Sequence, residues 1–434
     1  MRAGYFIGVL LAFVPALVAP VQTAAADEYR IADKVHLGVA SCASSVCHGK
    51  LDRQAGRNVW LNEYRIWTGA GKHSLAYRLL ENEASRRIAN NLGLASATTA
   101  KVCLDCHADN VPPEKRGPKF QIRDGVGCEA CHGGAEEWIE SHAAEGASHE
   151  ANLRAGMFPS ESPVERAALC LSCHMGNAEK FAGHDIMGAG HPRLSFELEA
   201  FQTNQPAHFD VDDDYRARKG EIPGFNLWLS GQVESGIRFA DLVADRISAG
   251  VAPYPELALY DCHACHHEMD DRRWTPGRSA GTGPGALRVQ DQHLLILQSA
   301  IGALDSAAAT DELGAMAAAM VRGGQENTAV AADAAGRISA WLTARQQAWA
   351  DRRFSVDEVR AVRRAIANDA ARGRMGDFNA AEQAVLALES LSYSLNDWDR
   401  VSAAMDSIFN EVADDANFSP TSFAGTAGRI AGQF

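Results

Sequence analysis

Ten cysteines stand in this chain, and they form five close pairs, each closed at once by a histidine. The pairs are Cys42/Cys47 before His48, Cys103/Cys106 before His107, Cys128/Cys131 before His132, Cys170/Cys173 before His174, and Cys262/Cys265 before His266. Four of them have the spacing C-x-x-C-H, and with 15 histidines in 434 residues such regular placement does not arise by chance. Two thiols and an adjacent imidazole at this spacing suit one group, a haem whose vinyl substituents form thioethers to the cysteines while the histidine reaches the iron. Disulfides need no histidine after every pair, and four-coordinate zinc would need each pair to be joined by a second donor set. The expected cofactor is haem c, five covalently attached groups in all. In the first pair four residues separate the cysteines, so a looped-out insertion must bring Cys42 and Cys47 to the same haem. If it does not, the pair is a disulfide and four haems remain.

A haem iron that only moves electrons takes a sixth ligand, whereas one that does chemistry keeps an open position. Ten further histidines are available: His36, His73, His142, His149, His184, His191, His208, His263, His267 and His293. His184 and His191 would lie roughly 10 Å apart even on one helix, so they serve different irons. His267 is the neighbour of His266 and points elsewhere, which makes it available only to another haem. His263 lies inside its own attachment loop and reads as a bystander. His293 opens a helical region and reads as an ordinary polar or capping residue, and His36 and His149 have polar surroundings. Met175 and Met187 are alternative sixth ligands, though isolated methionines more often fill cores. No histidine follows His107 before the third attachment motif, so if one iron is open for chemistry it is expected at the second haem.

The N-terminus carries Arg2, an apolar run from about Tyr5 to Val21, and Thr23-Ala-Ala-Ala26 before Asp27. This pattern reads as a secretory signal peptide over residues 1–26, with a periplasmic destination. No later stretch is long and apolar enough to span a bilayer, and with 46% hydrophobic and 22% charged residues the composition is that of a globular protein. A net charge of −14 argues against nucleic acid as a partner and would steer a basic redox protein.

The attachment motifs define a cytochrome c domain over residues 27–275, in which short helices and sparse regular structure wrap stacked haems. A Gly/Pro cluster at 276–286 reads as a linker, without the lysine and hydroxyl residue of a phosphate loop. From 287 to 434 the pattern is that of an α-helical domain. Leu287, Leu294, Leu297, Ile301 and Leu304 share a face, Ser355 to Glu358 is a capping box, and Asn379 to Glu382 opens another helix. The acidic run Asp210-Val-Asp-Asp-Asp214 lacks the glycine and distal glutamate of a calcium loop and reads as a solvated loop. The fold class is mainly α.

Beyond the cysteines, four strings carry a resemblance. They are Gly38-Val-Ala-Ser-Cys-Ala-Ser-Ser-Val-Cys-His-Gly49, Lys72-His-Ser-Leu-Ala76, Gly125-Val-Gly-Cys-Glu-Ala-Cys-His-Gly133 with Trp138 and His142, and Gly190-His-Pro-Arg-Leu-Ser-Phe-Glu-Leu198. Over roughly residues 35–275 the chain resembles exported multihaem cytochromes of the cytochrome c-554 type, a group related in haem packing to hydroxylamine oxidoreductase and the octahaem enzymes. The resemblance implies closely stacked haem pairs, with His73, His142, His184, His191, His208 and His267 as leading distal ligands. The widened first motif and the helical tail depart from the tetrahaem members. The leading expectation is an electron carrier between redox partner proteins. The alternative is an oxidoreductase acting on a small nitrogen or sulfur compound at one five-coordinate haem. A third is a scaffold whose C-terminal helices dock a partner enzyme.

Overall fold

The computed structural model describes residues 33–52, 60–221, 223–248, 256–267 and 283–434. The expected signal peptide and residues 276–282 of the expected linker lie outside the described residues. The described chain is mainly α and has no strand, only isolated bridges between His36 and Arg116 and between Tyr260 and Val289.

The first half is built of short helices: α1 (Glu63–Gly69), α2 (Ala76–Leu79), α3 (Glu83–Asn91), α4 (Lys101–His107), α5 (Glu129–His132), α6 (His149–Arg154), α7 (Pro163–His174), α8 (His184–Gly188), α9 (Leu198–Asn204) and α10 (Asp213–Lys219). Their starts follow local chemistry. Ser162 caps α7, which has Pro163 in its first turn, where a missing N–H costs nothing. The acidic run is not the expected solvated loop. Asp212 is the N-cap of α10, accepting from Tyr215 N–H at 2.8 Å, and Asp213 and Asp214 occupy the first turn, where carboxylates complement the helix dipole.

The second half is a bundle of longer helices: α11 (Gly224–Ser248), α12 (Gln292–Leu304), α13 (Ala307–Glu326), α14 (Thr328–Trp349), α15 (Val356–Ala371), α16 (Phe378–Ser394), α17 (Trp398–Phe409) and α18 (Pro420–Ile430). α15 starts with the capping box between Ser355 and Glu358. α16 starts two residues earlier than expected, because Asp377 is the cap, accepting from Ala380 N–H at 2.8 Å, and Asn379 is buried inside the helix.

One continuous hydrophobic core runs from Phe225 to Phe434. α11 is its longest element, although it precedes the fifth cysteine pair where only short helices were expected. It packs on α14 and α12 on one side and on α7 and α9 on the other. A buried ion pair fixes it there. Arg238 donates to Glu234 at 2.8 Å and to Ala168 O of α7 at 2.7 Å, while Glu234 accepts from Gln346 of α14 at 3.0 Å.

Candidate functional site

Three of the four C-x-x-C-H motifs close a helix: α4 ends at His107, α5 at His132 and α7 at His174. On a helix, positions separated by three and four residues share a face, so both thiols and the imidazole project to one side. In the third and fifth motifs the histidine N–H also returns to the first cysteine's carbonyl, His132 to Cys128 at 2.9 Å and His266 to Cys262 at 2.8 Å. The widened first motif makes the same bond, His48 N–H to Cys42 O at 3.1 Å. Its extra residues loop outward, leaving Val46 82% exposed. All ten cysteines are free. Among the described residues, no three His, Cys, Asp or Glu side chains converge as a metal site, which leaves the zinc alternative without a donor set.

Each attachment histidine faces one histidine from a distant part of the chain. The ring centres are 6.2 Å apart for His48 and His142, 6.3 Å for His107 and His191, and 6.4 Å for His132 and His208. They are 6.2 Å apart for His174 and His73 and 6.4 Å for His266 and His184. Two imidazoles binding one metal from opposite sides, each at about 2 Å, have centres roughly 6 Å apart. Each gap has the width that one metal ion between two imidazoles would require. The expectation of an open position opposite His107 is corrected by this geometry: His191 faces it from beyond the fourth motif.

Second contacts orient several rings. Nδ1 donates to Ala76 O at 3.1 Å from His107, to Trp138 O at 3.2 Å from His142, and to Pro192 O at 2.7 Å from His191. A carbonyl can only accept, so Nδ1 holds the proton and Nε2 keeps its lone pair for a metal. Burial lowers the pKa of His132 to about 3 and of His174 to about 4, and lowers those of His73, His107 and His208, which keeps these rings neutral as ligation requires. His48 is the exception. Its hydrogen bond with Glu63, 2.8 Å from Nδ1 to Oε2, raises its pKa.

The attachment loops also meet one another. The Cys42 thiol is hydrogen-bonded with Cys128, and Cys106 with Cys173, so motif one lies against motif three and motif two against motif four. Burial pushes the Cys131 thiol up to about 12 and Cys170 to about 11, environments that suit a neutral thioether better than a thiolate.

Residues that the motifs did not flag complete the site. Glu63 was missed because nothing in sequence links it to His48. Glu129, inside the third motif, is 2% exposed and accepts from Leu37 N–H and Gly38 N–H at 2.7 Å each and from Ala135 N–H at 2.8 Å. A carboxylate between the two cysteines of an attachment motif was the available signal. Trp138 stands edge-on to His142 with centres 5.3 Å apart.

The remaining histidines lie outside the five pairs. His36 is fully buried with Nδ1 2.7 Å from Asp109, and His149 lies 2.6 Å from Glu161. His263 contacts the ring of Phe378, and His267 is exposed. His293 is not the cap of α12, which is Asp291: it is 4% exposed within the helix and lines a cavity. Met187 lines the same cavity, and Met175 also packs against the helical core.

Residues 35–133 match the family model described as cytochrome c554 and c-prime. Over these residues the chain is similar to the cytochromes of the c554 family. No curated protein and no solved structure matches the chain. The matched stretch contains the first three motifs, so the group these cysteines hold in a c554-type cytochrome is haem c, and its chemistry is electron transfer. The donor set fits that group, with two thiols, one imidazole and a facing imidazole at each site. No described helix is long and apolar enough to cross a membrane.

Proposed function

We propose that the protein is a periplasmic five-haem electron carrier in which two histidines cap every iron. The pairs are His48 with His142, His107 with His191, His132 with His208, His174 with His73, and His266 with His184. The observation that carries this reading is the spacing of 6.2–6.4 Å in all five pairs, with no attachment histidine left over. The restored bond from His48 to Cys42 supports counting the first motif, and so supports five haems rather than four.

Bound haem supplies a one-electron ferric/ferrous couple. The chain's part is to hold and orient each site and to exclude water from it. Cys42 against Cys128, and Cys106 against Cys173, bring neighbouring sites edge to edge, which favours transfer within the molecule. The sequence of residues 1–26 supports export, and the net charge of −14 favours a basic partner.

Intact mass of the mature protein is expected to give five haems per chain. Electron paramagnetic resonance of the oxidised protein is expected to be wholly low-spin. The rings of His48 and His142 lie within 11° of parallel, which favours a rhombic signal, while three pairs cross at 66–82°, which favours signals with one large g value. In His191→Ala one haem in five becomes high-spin. A stoichiometric high-spin haem in the wild type would revive an open catalytic iron, and an unchanged spectrum in the variant would remove His191 from the ligand set.

A further inference from the structure

The fifth attachment loop is bound to the helical bundle. Asp261 N–H donates to Arg288 O at 2.8 Å, Gln290 N–H to Leu259 O at 2.9 Å, and the Tyr260 hydroxyl to Gly324 O at 2.9 Å. Beside it lies a cavity of about 90 Å³. Its wall carries Cys262 from the loop, Met187 from α8, the helix that presents His184, and His293 from the first turn of α12. The space borders an attachment cysteine of the fifth motif and the helix of its facing histidine, and His174 of the fourth motif also lines it.

Two independent features mark the α12 side of this cavity. The ring of His293 is buried and its Nδ1 has no hydrogen-bond partner. Leaving a buried polar atom unmatched is unfavourable, so its retention points to a ligand that satisfies the ring. The N-terminus of the 13-residue α12 also lacks a side-chain cap. Its N-cap residue, Asp291, has its carboxylate hydrogen-bonded to Arg288. First-turn N–H groups and the helix dipole there favour an anion. Gln292 and Arg193 add donors to the same wall, the latter held by Glu382 at 3.1 Å. Haem carries two carboxylates at the edge away from its vinyl groups.

We propose that His293 is a positioning residue for the haem attached at Cys262 and Cys265, donating a ring N–H to one of its carboxylates at the open N-terminus of α12. The helical bundle thereby sets the orientation and redox equilibrium of this one site. This rests on the five-haem reading. Burial lowers the pKa of His293 to about 4, so the ring acts as a neutral donor at pH 7.

The test uses the mature, haem-loaded protein and its His293→Phe, His293→Leu and His293→Gln variants. Each is counted for haem by intact mass and titrated optically between the ferric and ferrous states. Losing the donor leaves more negative charge on the haem edge and favours ferric iron. Phe and Leu are each expected to shift one of five reduction equilibria about tenfold toward the oxidised form, ~59 mV for one electron. Gln keeps a donor and is expected to restore at least half of the shift. The haem carboxylate bending modes in resonance Raman spectra move with Phe and Leu and return with Gln. Unchanged equilibria in both Phe and Leu overturn the inference. Equal shifts in all three variants also overturn it, because packing alone would then explain them, and so does a new high-spin haem, which would make His293 an iron ligand. A wild-type mass with fewer than five haems defeats the five-haem reading itself, and the inference with it, before any variant is compared.

Discussion

At the scale of single residues, the carboxylate of Glu63 distinguishes one site from the other four. It accepts from Nδ1 of His48, while three other paired histidines bond only to backbone carbonyls. A carboxylate draws the ring proton toward itself and makes Nε2 a stronger donor to iron, which stabilises the ferric state. Glu63→Gln keeps the shape and an acceptor oxygen but removes the charge. It is expected to raise one reduction potential by roughly 59 mV, a tenfold change in a one-electron equilibrium, without loss of haem. An optical redox titration checks this, and a lower potential, or none changed, would reverse the argument. Glu129 plays a different part. By gathering three N–H groups it ties the third motif to the segment that opens the first, next to the point where Cys42 meets Cys128.

Among the elements, α9 shows how the half with short helices is joined to the bundle through a buried acid. Glu197 caps α9 by accepting from Ala200 N–H at 2.8 Å and Glu199 N–H at 3.2 Å, and it also accepts from the Ser390 hydroxyl of α16 at 2.7 Å. Burial raises its pKa from 4.5 to about 7. A raised folded-state pKa means that the native chain binds the proton more tightly than the unfolded chain does. The resulting stability is full below pH 4.5 and is lost as pH rises through about 7. The neighbouring Glu199, raised to about 8 by burial and then by the charge of Glu197, extends the loss upward. Unfolding by denaturant at pH 5 and pH 8 is expected to differ by on the order of 3 kcal/mol from Glu197 alone. Glu197→Gln removes the titration, so its stability should be flatter across the same interval. A variant that kept the wild-type slope would move the effect to another group.

For the molecule as a whole, what could be read from sequence was local chemistry. The cysteine motifs, the capping box at Ser355 and the helical periodicity after residue 287 need only neighbours along the chain. The histidine pairs do not: His107 meets His191, and His174 meets His73, across the fold, so a search for the next histidine downstream found no partner for His107. His293 was misread for the same reason, since capping is a local preference and burial a tertiary one. The length of α11 was hidden by Gly231 and Gly236, which look like breakers but lie where added Cβ atoms would come within 2.8 Å of Leu198 and Leu342 side chains. That helix bears on whether the two halves can be separated. Phe225, Leu229 and Val233 are each no more than 3% exposed, and Trp228 and Val243 are fully buried, largely against helices that begin after residue 286. Exposing such side chains costs about 1.5–3 kcal/mol each, a sum comparable with the whole stability of a domain. Cutting the chain at 286 would also leave Glu234 without Gln346, and the fifth attachment loop without Arg288, Gln290 and Gly324. A chain ending at residue 286 is therefore expected to aggregate, or to bind a hydrophobic dye and carry fewer haems than the full chain. Mass, dye binding and sedimentation of the two proteins side by side provide the check. A soluble, fully loaded truncation product would mean that α11 folds against the cytochrome half alone.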